Sequence, residues 1–183
     1  MGESGIDRTD NGSPDIVRAI AQALIDGAHN EAADDRAATE ALSGLRQMTG
    51  ALAAGFWKRT GNHLVLRAFN AGDDMPGDVQ SAFRAATANV SLDQTALAIV
   101  QAVLAGKTVT AVPPPEGETG AGSPAWLRRF AARQSAAVPV VVDGSVVAAI
   151  AVASTRLFQP EEVAAIEAVA EAIARAWRAK RPS

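Results

Sequence analysis

Three arginines, Arg128, Arg129 and Arg133, form the charged group with the clearest capacity for binding chemistry. A helix over this segment would place Arg129 and Arg133 on one face, where guanidinium groups can donate paired hydrogen bonds to a carboxylate or a phosphate. In the alternative arrangement, the side chains extend over neighbouring aromatic residues into solvent and pair with Glu116 or Glu118. The sequence leaves open whether the arginines face a pocket or solvent.

The other polar residues do not form a pattern typical of a catalytic or metal site. His29 and His63 are far apart in the sequence, each near a glycine turn signal, and we expect both to face solvent. The acidic pair Asp73 and Asp74 is typical of a solvated turn. The hydroxyl and acidic residues of segment 91–95 have no histidine nearby, and their spacing favours helix capping over a hydrolytic triad. We therefore predict no catalytic residues, no metal site and no cofactor.

Composition excludes several kinds of chemistry. The 183-residue chain contains no cysteine, which rules out a disulfide framework, a thiolate metal site, a thiol nucleophile and a cofactor attached through sulfur. The formal net charge of −3 is not typical of a nucleic-acid-binding protein. No apolar run reaches the roughly 18 residues that a membrane-spanning helix needs. We predict a cytoplasmic protein without a nucleic-acid partner and without membrane association.

Apolar periodicity predicts the elements that must position these residues. Stripes at helical spacing predict helices at about residues 14–27, 35–48, 78–88, 96–106, 124–133 and 160–180. Alternating or continuous apolar runs predict strands at 51–58, 63–70, 108–112, 136–142 and 145–154. The last two strands are joined by Asp143 and Gly144, which suit a type I′ turn. The polar segment 1–13 predicts a disordered tail, and residues 14–183 then form a single domain.

This order predicts an α+β fold in which helices cover an antiparallel sheet. The segment from Ala136 to Ser154, with Phe158-Gln-Pro-Glu-Glu162 and an alanine-rich helix after it, resembles the C-terminal half of a GAF domain. Residues 92–112 resemble the family's second ligand-side helix and the strand that follows. The resemblance covers about residues 15–180. It implies a five- or six-stranded sheet in a PAS-like order, about 2-1-5-4-3, with the terminal helices on one face and the ligand-side helices and loop, residues 78–134, on the other.

The resemblance also implies a function. GAF domains are usually sensory modules that bind small molecules or serve for dimerisation. Some stand-alone members are free methionine sulfoxide reductases, whose chemistry needs the cysteines that this chain lacks. The Asn-Lys-Phe-Asp-Glu signature of the cyclic-nucleotide subfamily is not found either. We therefore predict that the protein is not an enzyme but a sensory or regulatory module that signals to a protein partner. The predicted ligand is a small, partly apolar molecule, and an anionic ligand is one option. The alternative is a structural interaction or dimerisation module whose pocket is filled by side chains. An enclosed cavity of a few hundred Å³ with polar groups converging on it would favour the sensor, and a filled core would favour the interaction module.

Two sets of residues follow from the predicted architecture. The pocket residues, from the sheet below and the helices above, are Phe56, Leu66, Phe83, Ile99, Trp126, Arg129, Phe130 and Arg133. The terminal helices have apolar stripes that could pair across a two-fold axis. The predicted homodimer interface consists of Ile16, Ile20, Leu24, Ile166, Ile173 and Trp177. In the competing explanation, both stripes are buried within one layer that covers the sheet.

Overall fold

A computed structural model describes residues 14–30, 36–118 and 123–180 of the chain. Six strands form one antiparallel sheet: β1 Ala53–Thr60, β2 His63–Ala71, β3 Asn89–Ser91, β4 Val109–Ala111, β5 Gln134–Val142 and β6 Ser145–Ser154. Their order across the sheet is β3-β2-β1-β6-β5-β4. The predicted α+β fold is confirmed, and the five predicted strands lie in the predicted order.

The short strand β3 is the element that the sequence prediction missed. It has three residues, of which Val90 is the buried one, so it is too short to show a period of two. The prediction placed a helix cap at Ser91, which instead pairs with His63 in the sheet. The helix that follows begins at Ala98, after the extended residue Leu97.

Strands β1 and β2 form one hairpin, and β5 and β6 form a second one. In the second, Asp143 and Gly144 have φ values of 50° and 77°, as a type I′ turn requires. This turn matches the twist of the paired strands β5 and β6, which lie inside the sheet with helices on both faces.

Three helices cover one face of the sheet: α1 Pro14–His29, α2 Arg36–Thr49 and α6 Pro160–Ala179. The start of α6 is fixed by a capping box between Gln159 and Glu162. The Arg156 guanidinium donates to Glu162 at 2.5 and 2.9 Å and also reaches the Thr49 carbonyl at 3.5 Å. These bonds join the end of α2 to the start of α6, and the Arg156 hydrogen bonds lower the pKa of Glu162 below its ordinary value of 4.5.

The predicted dimer interface is wrong for most of its residues. Ile20, Leu24, Ile166 and Ile173 are at most 5% exposed and pack within the core beneath the helices. Because each helix has one apolar stripe and the sheet needs a cover, the stripe faces the sheet, as in the competing explanation. Ile16 is exposed, and the half-buried Trp177 packs its ring against a histidine of α1.

Three further helices cover the other face: α3 Gly77–Thr87, α4 Ala98–Ala105 and α5 Ser123–Arg129. None of the helices in the described ranges is long and apolar enough to cross a membrane. The predicted disordered tail, residues 1–13, lies outside the described residues.

Candidate functional site

A cavity of about 90 Å³ lies between the sheet and the helices α3, α4 and α5. Its wall on the sheet side comes from β1, β2, β3, β5 and β6, and the helices supply the opposite wall. The described residues that line it are Ala53, Ala54, Gly55, Trp57, Phe69, Phe83, Thr87, Val90, Leu97, Ala98, Ile99, Trp126, Leu127, Phe130, Ser135, Ala137, Ala151, Val152 and Ala153. The wall is therefore almost wholly apolar.

Glycine and alanine residues on the strands provide room for the aromatic side chains beside the cavity. The Trp57 ring lies over Gly55, where a β-carbon would stand 2.3 Å from the ring atom Cη2. The Trp57 indole N–H donates to the Thr87 carbonyl at 2.8 Å, which fixes the ring against the end of α3. Because alanines surround this position on β5 and β6, the sheet presents a shallow floor beneath the rings.

Five aromatic side chains converge on the cavity, with Phe83 of α3 at their centre. The Phe83 ring centroid lies 5.1 Å from that of Phe69, 5.2 Å from Phe130, 5.6 Å from Trp126 and 6.5 Å from Trp57. Three of these pairs are edge-to-face, the geometry that the quadrupoles of aromatic rings favour. The cluster joins β1, β2, α3 and the segment from α5 to Phe130 around one space.

Polar groups in the described wall are few. The Thr87 hydroxyl donates to the Phe83 carbonyl at 2.8 Å. The Ser135 hydroxyl oxygen is buried and, among the described residues, has no hydrogen-bond partner. None of the described residues that line the cavity is charged. A ligand here would meet an apolar surface and one unpaired hydroxyl.

Four of the eight predicted pocket residues line this cavity: Phe83, Ile99, Trp126 and Phe130. Leu66 is half-buried and packs against the same apolar clusters without lining the cavity. Phe56 lies on the opposite face of the sheet, in the core beneath α1, α2 and α6, so its placement was wrong. Successive strand residues point to opposite faces, and the prediction chose Phe56 where its neighbour Trp57 faces the cavity. The alternation in β1 shows that Phe56 and Trp57 face opposite sides of the sheet, but it does not show which of them faces the cavity.

The structure places the three arginines, whose facing the sequence left open, on the solvent side. Arg129 and Arg133 are exposed and do not line the cavity. Helix α5 ends at Arg129, and Ala131 has a φ of 54°, so the chain turns before Arg133 and the two guanidinium groups do not share a helical face. Arg129 stacks 5.2 Å from the Trp126 ring centroid. Arg128 is exposed as well, and donates to the carbonyls of Pro114 and Pro115.

The two histidines are exposed, as expected from the sequence. The His29 Nδ1 atom lies 2.8 Å from the Ile25 carbonyl, and the ring packs against Trp177. In the described part of the chain, no three histidine, aspartate or glutamate side chains are grouped closely enough to hold a metal ion. The hydroxyl of Ser91, the last residue of β3, donates to Asp93 at 3.0 Å. These residues do not cap α4, because that helix begins only at Ala98.

A second, more open groove of about 650 Å³ runs between α6 and β5. Glu167 in this groove accepts a hydrogen bond from Thr108 at 2.6 Å, and Arg175 pairs with Glu171 at 3.7 Å. No aromatic residue is among the described residues of its wall. Since its polar groups largely satisfy each other, the aromatic cavity is the stronger candidate site.

Comparison with known proteins agrees with this architecture. A family model of the GAF domain matches residues 35–177. The chain is similar to a solved structure of a methyl-accepting chemotaxis protein, residues 122 to 287 (TM-score 0.61, 18% identity, covering 89% of this chain and 95% of that one). It is also similar to the nlh2 GAF domain of A. aeolicus in an inactive state (TM-score 0.59, 14% identity, 91% and 96%). A third similar structure is the free methionine-R-sulfoxide reductase of Neisseria meningitidis in complex with its substrate (TM-score 0.58, 16% identity, 99% and 98%). No curated protein sequence matches the chain significantly.

These comparisons correct the prediction that the protein is not an enzyme. Structures that share its fold include free methionine-R-sulfoxide reductases, so catalysis is among the activities of proteins with this fold. The absence of cysteine excludes a cysteine nucleophile in this chain, but it does not exclude an enzyme that uses other groups. Missing cysteines remove one catalytic mechanism and leave the others open.

Proposed function

The chain belongs to the GAF domain family, and on that basis we propose that it is a regulatory module that binds a small molecule in the aromatic cavity. Members of this family are commonly sensory or regulatory, and many dimerise or bind signalling partners. In this proposal the cavity between the sheet and α3, α4 and α5 is the ligand site, and a protein partner responds to its occupancy.

One observation carries the proposal: the placement of the aromatic residues. The chain has eight aromatic residues, five phenylalanines and three tryptophans, and five of the eight line this one cavity. Phe83, Trp126 and Phe130 remain only partly buried, although phenylalanine is among the residues that are most often fully buried. A partly open apolar space beside such rings is the arrangement that small-molecule sites generally use.

The volume bears on the alternative of a filled pocket. At about 90 Å³ the cavity is smaller than the few hundred Å³ expected of a sensor. The aromatic rings therefore fill part of the space, and the proposed ligand is small. If no compound binds in the following experiment, the result would favour a structural interaction module without a ligand.

The test is a thermal-shift measurement with nucleotides, amino acids, oxo-acids and neutral aromatic compounds. A ligand at 100 times its Kd adds about 2.7 kcal/mol to the free energy of unfolding. For a chain of this size the expected rise in Tm is roughly 5–11 °C. Absence of a shift with every compound would contradict the proposal.

A matched pair of variants assigns any shift to the cavity. Ala151→Leu places three additional carbon atoms in the cavity wall on β6. Ala164→Leu makes the same change at an exposed position of α6. The Tm rise should be lost in Ala151→Leu and retained in Ala164→Leu. A rise that persists in Ala151→Leu would place the ligand elsewhere.

The predicted homodimer and the predicted signalling partner stay predictions. The buried stripe residues cannot form the dimer contact, because they already pack against the sheet. Light scattering of the unmodified chain is therefore the appropriate test of assembly, and a monomer at all concentrations would refute the homodimer.

A further inference from the structure

We propose that the ligand of the cavity is an uncharged, planar molecule with a single aromatic ring and one hydrogen-bonding group, which pairs with the Ser135 hydroxyl. This inference rests on the proposed function, because it names the chemical class of ligand for the same cavity. Size, shape, charge and the unpaired hydroxyl each support it separately.

The volume of the cavity limits the size of the ligand. An engineered apolar cavity of about 150 Å³ binds benzene, and this cavity measures about 90 Å³ with a partly open side. A nucleotide or a tetrapyrrole needs a site in the usual range of roughly 300–1,000 Å³. A space smaller than that benchmark holds at most a single ring of roughly six or seven non-hydrogen atoms.

The walls favour a flat and apolar ligand. Phe83 contributes a ring that four other aromatic side chains surround, so a planar guest can meet both ring edges and ring faces. The opposite wall consists of small residues on the central strands, among them Ala137, Ala151 and Ala153. This floor of small strand residues is flanked by the Trp57 and Phe69 rings of the same sheet and faces the rings of the helical side, an arrangement that favours a planar shape over a branched one.

The absence of charge from the described wall disfavours a charged ligand. None of the described residues that line the cavity carries a charge. The sequence of residues 119–125, Thr-Gly-Ala-Gly-Ser-Pro-Ala, contains no charged residue either. The guanidinium groups of Arg128, Arg129 and Arg133 lie outside the wall. A carboxylate or an ammonium group would be transferred from water to an apolar site without a partner, which is strongly unfavourable.

The Ser135 hydroxyl supplies the one directional contact. Ser135 lies on β5 between Ala111 on β4 and Ala153 on β6, whose methyl side chains cannot pair with it. Its oxygen is buried and unpaired among the described residues. The other hydroxyl of the wall, that of Thr87, already donates to a backbone carbonyl. A buried hydroxyl without a partner is unfavourable, so a guest that supplies a donor or an acceptor at this point is favoured over one that does not.

The experiment compares three probes that share one ring: phenol, toluene and benzoate. Binding to the full chain is measured by calorimetry, and tryptophan fluorescence gives a second readout because Trp57 and Trp126 line the cavity. Phenol should bind most tightly and benzoate at least tenfold more weakly than phenol. Ser135→Ala should weaken phenol binding roughly 2- to 12-fold, the fold-change that corresponds to one neutral hydrogen bond. Toluene should bind the variant as tightly as the unmodified chain, which also shows that the variant is folded.

Ser145→Ala is the matched control, since Ser145 is exposed at the start of β6 and does not line the cavity. The ligand class is overturned if benzoate binds as tightly as phenol, or if Ser135→Ala leaves phenol binding unchanged. It is also overturned if Ala151→Leu binds phenol as well as the unmodified chain does.

The same variants separate this inference from the proposed function. If none of the three probes binds, but a larger or charged metabolite stabilises the unmodified chain and not Ala151→Leu, the ligand class is wrong and the proposed function stands. If no compound stabilises the chain at all, both are wrong, and the cavity holds water or is empty.

Discussion

Replacing Gly55 by alanine should destabilise the protein through a single contact with Trp57. The added β-carbon would lie 2.3 Å from Cη2 and 2.5 Å from Cζ3 of the indole ring. Carbon atoms in favourable contact are about 3.5–4.0 Å apart, so the ring must move by more than about 1 Å. Trp57 is only 3% exposed, and its N–H is bonded to the Thr87 carbonyl, so the ring has little room to move.

The expected size of the effect follows from these two constraints. Overpacking a buried site typically costs about 1–3 kcal/mol, and a buried carbonyl that loses its donor adds about 1–3 kcal/mol. Since the ring can relieve part of the clash by giving up the bond, we expect a loss of about 2–4 kcal/mol in the free energy of unfolding. The corresponding fall in Tm is roughly 4–16 °C.

Urea unfolding followed by circular dichroism measures this loss, with Gly77→Ala as the control. Gly77 begins α3, and a β-carbon there meets no atom within 4 Å, so the control should stay within about 0.5 kcal/mol of the unmodified chain. In a Trp57→Leu background the Gly55→Ala substitution should lose most of its effect, because the ring that it displaces is gone. An equal loss with and without Trp57 would refute the reasoning.

Three further predictions concern the helical face and the turn. Arg156 lowers the pKa of Glu162 in the folded state, so the ion pair stabilises the fold at pH values above the ordinary pKa of 4.5. This contribution to the free energy of unfolding is lost as the pH falls below that value and Glu162 becomes protonated. Unfolding measured from about pH 6 to pH 3 should therefore show a flatter profile for Glu162→Gln than for the unmodified chain, and parallel profiles would contradict this. Ile173→Ala should lower the free energy of unfolding by about 2–5 kcal/mol, because Ile173 is fully buried. A loss near zero would mean that the apolar stripe of α6 does not face the sheet. Gly144→Ala should lower thermal stability by about 1 kcal/mol, because its φ of 77° disfavours any residue with a β-carbon, and an unchanged Tm would argue against the type I′ turn.

Local signals in the sequence were sufficient for the helices and strands, except for the three-residue strand β3. The apolar run from Ala136 to Ser154, interrupted by Asp143 and Gly144, predicted the β5–β6 hairpin together with its turn. Proline and glutamates after Gln159 predicted the start of α6. These features depend on residues close together in the chain, whose conformational preferences and hydrogen bonds act within a few positions.

Which side of each helix or strand faces the core depends on contacts between segments that are distant in the sequence. Alternation in β1 separates Phe56 from Trp57, but both are large and apolar, and only the packing of α6 on one side and α3 on the other assigns them to different layers. Likewise, the stripe with Ile173 suits a dimer contact or a core, and the presence of an uncovered sheet decides for the core.

The sequence by itself determined most of the helices and strands and the absence of cysteine chemistry, because periodicity, turn residues and composition are properties of the chain alone. The strand order followed from the resemblance of the sequence to the GAF family. Only the tertiary structure decided that Gly55 makes room for Trp57, that five aromatic rings meet around one cavity, and that the Ser135 hydroxyl is left unpaired there. The physical reason is that close packing and hydrogen-bond pairing are set by atoms brought together from β1, β2, α3 and β5, which the linear order keeps far apart.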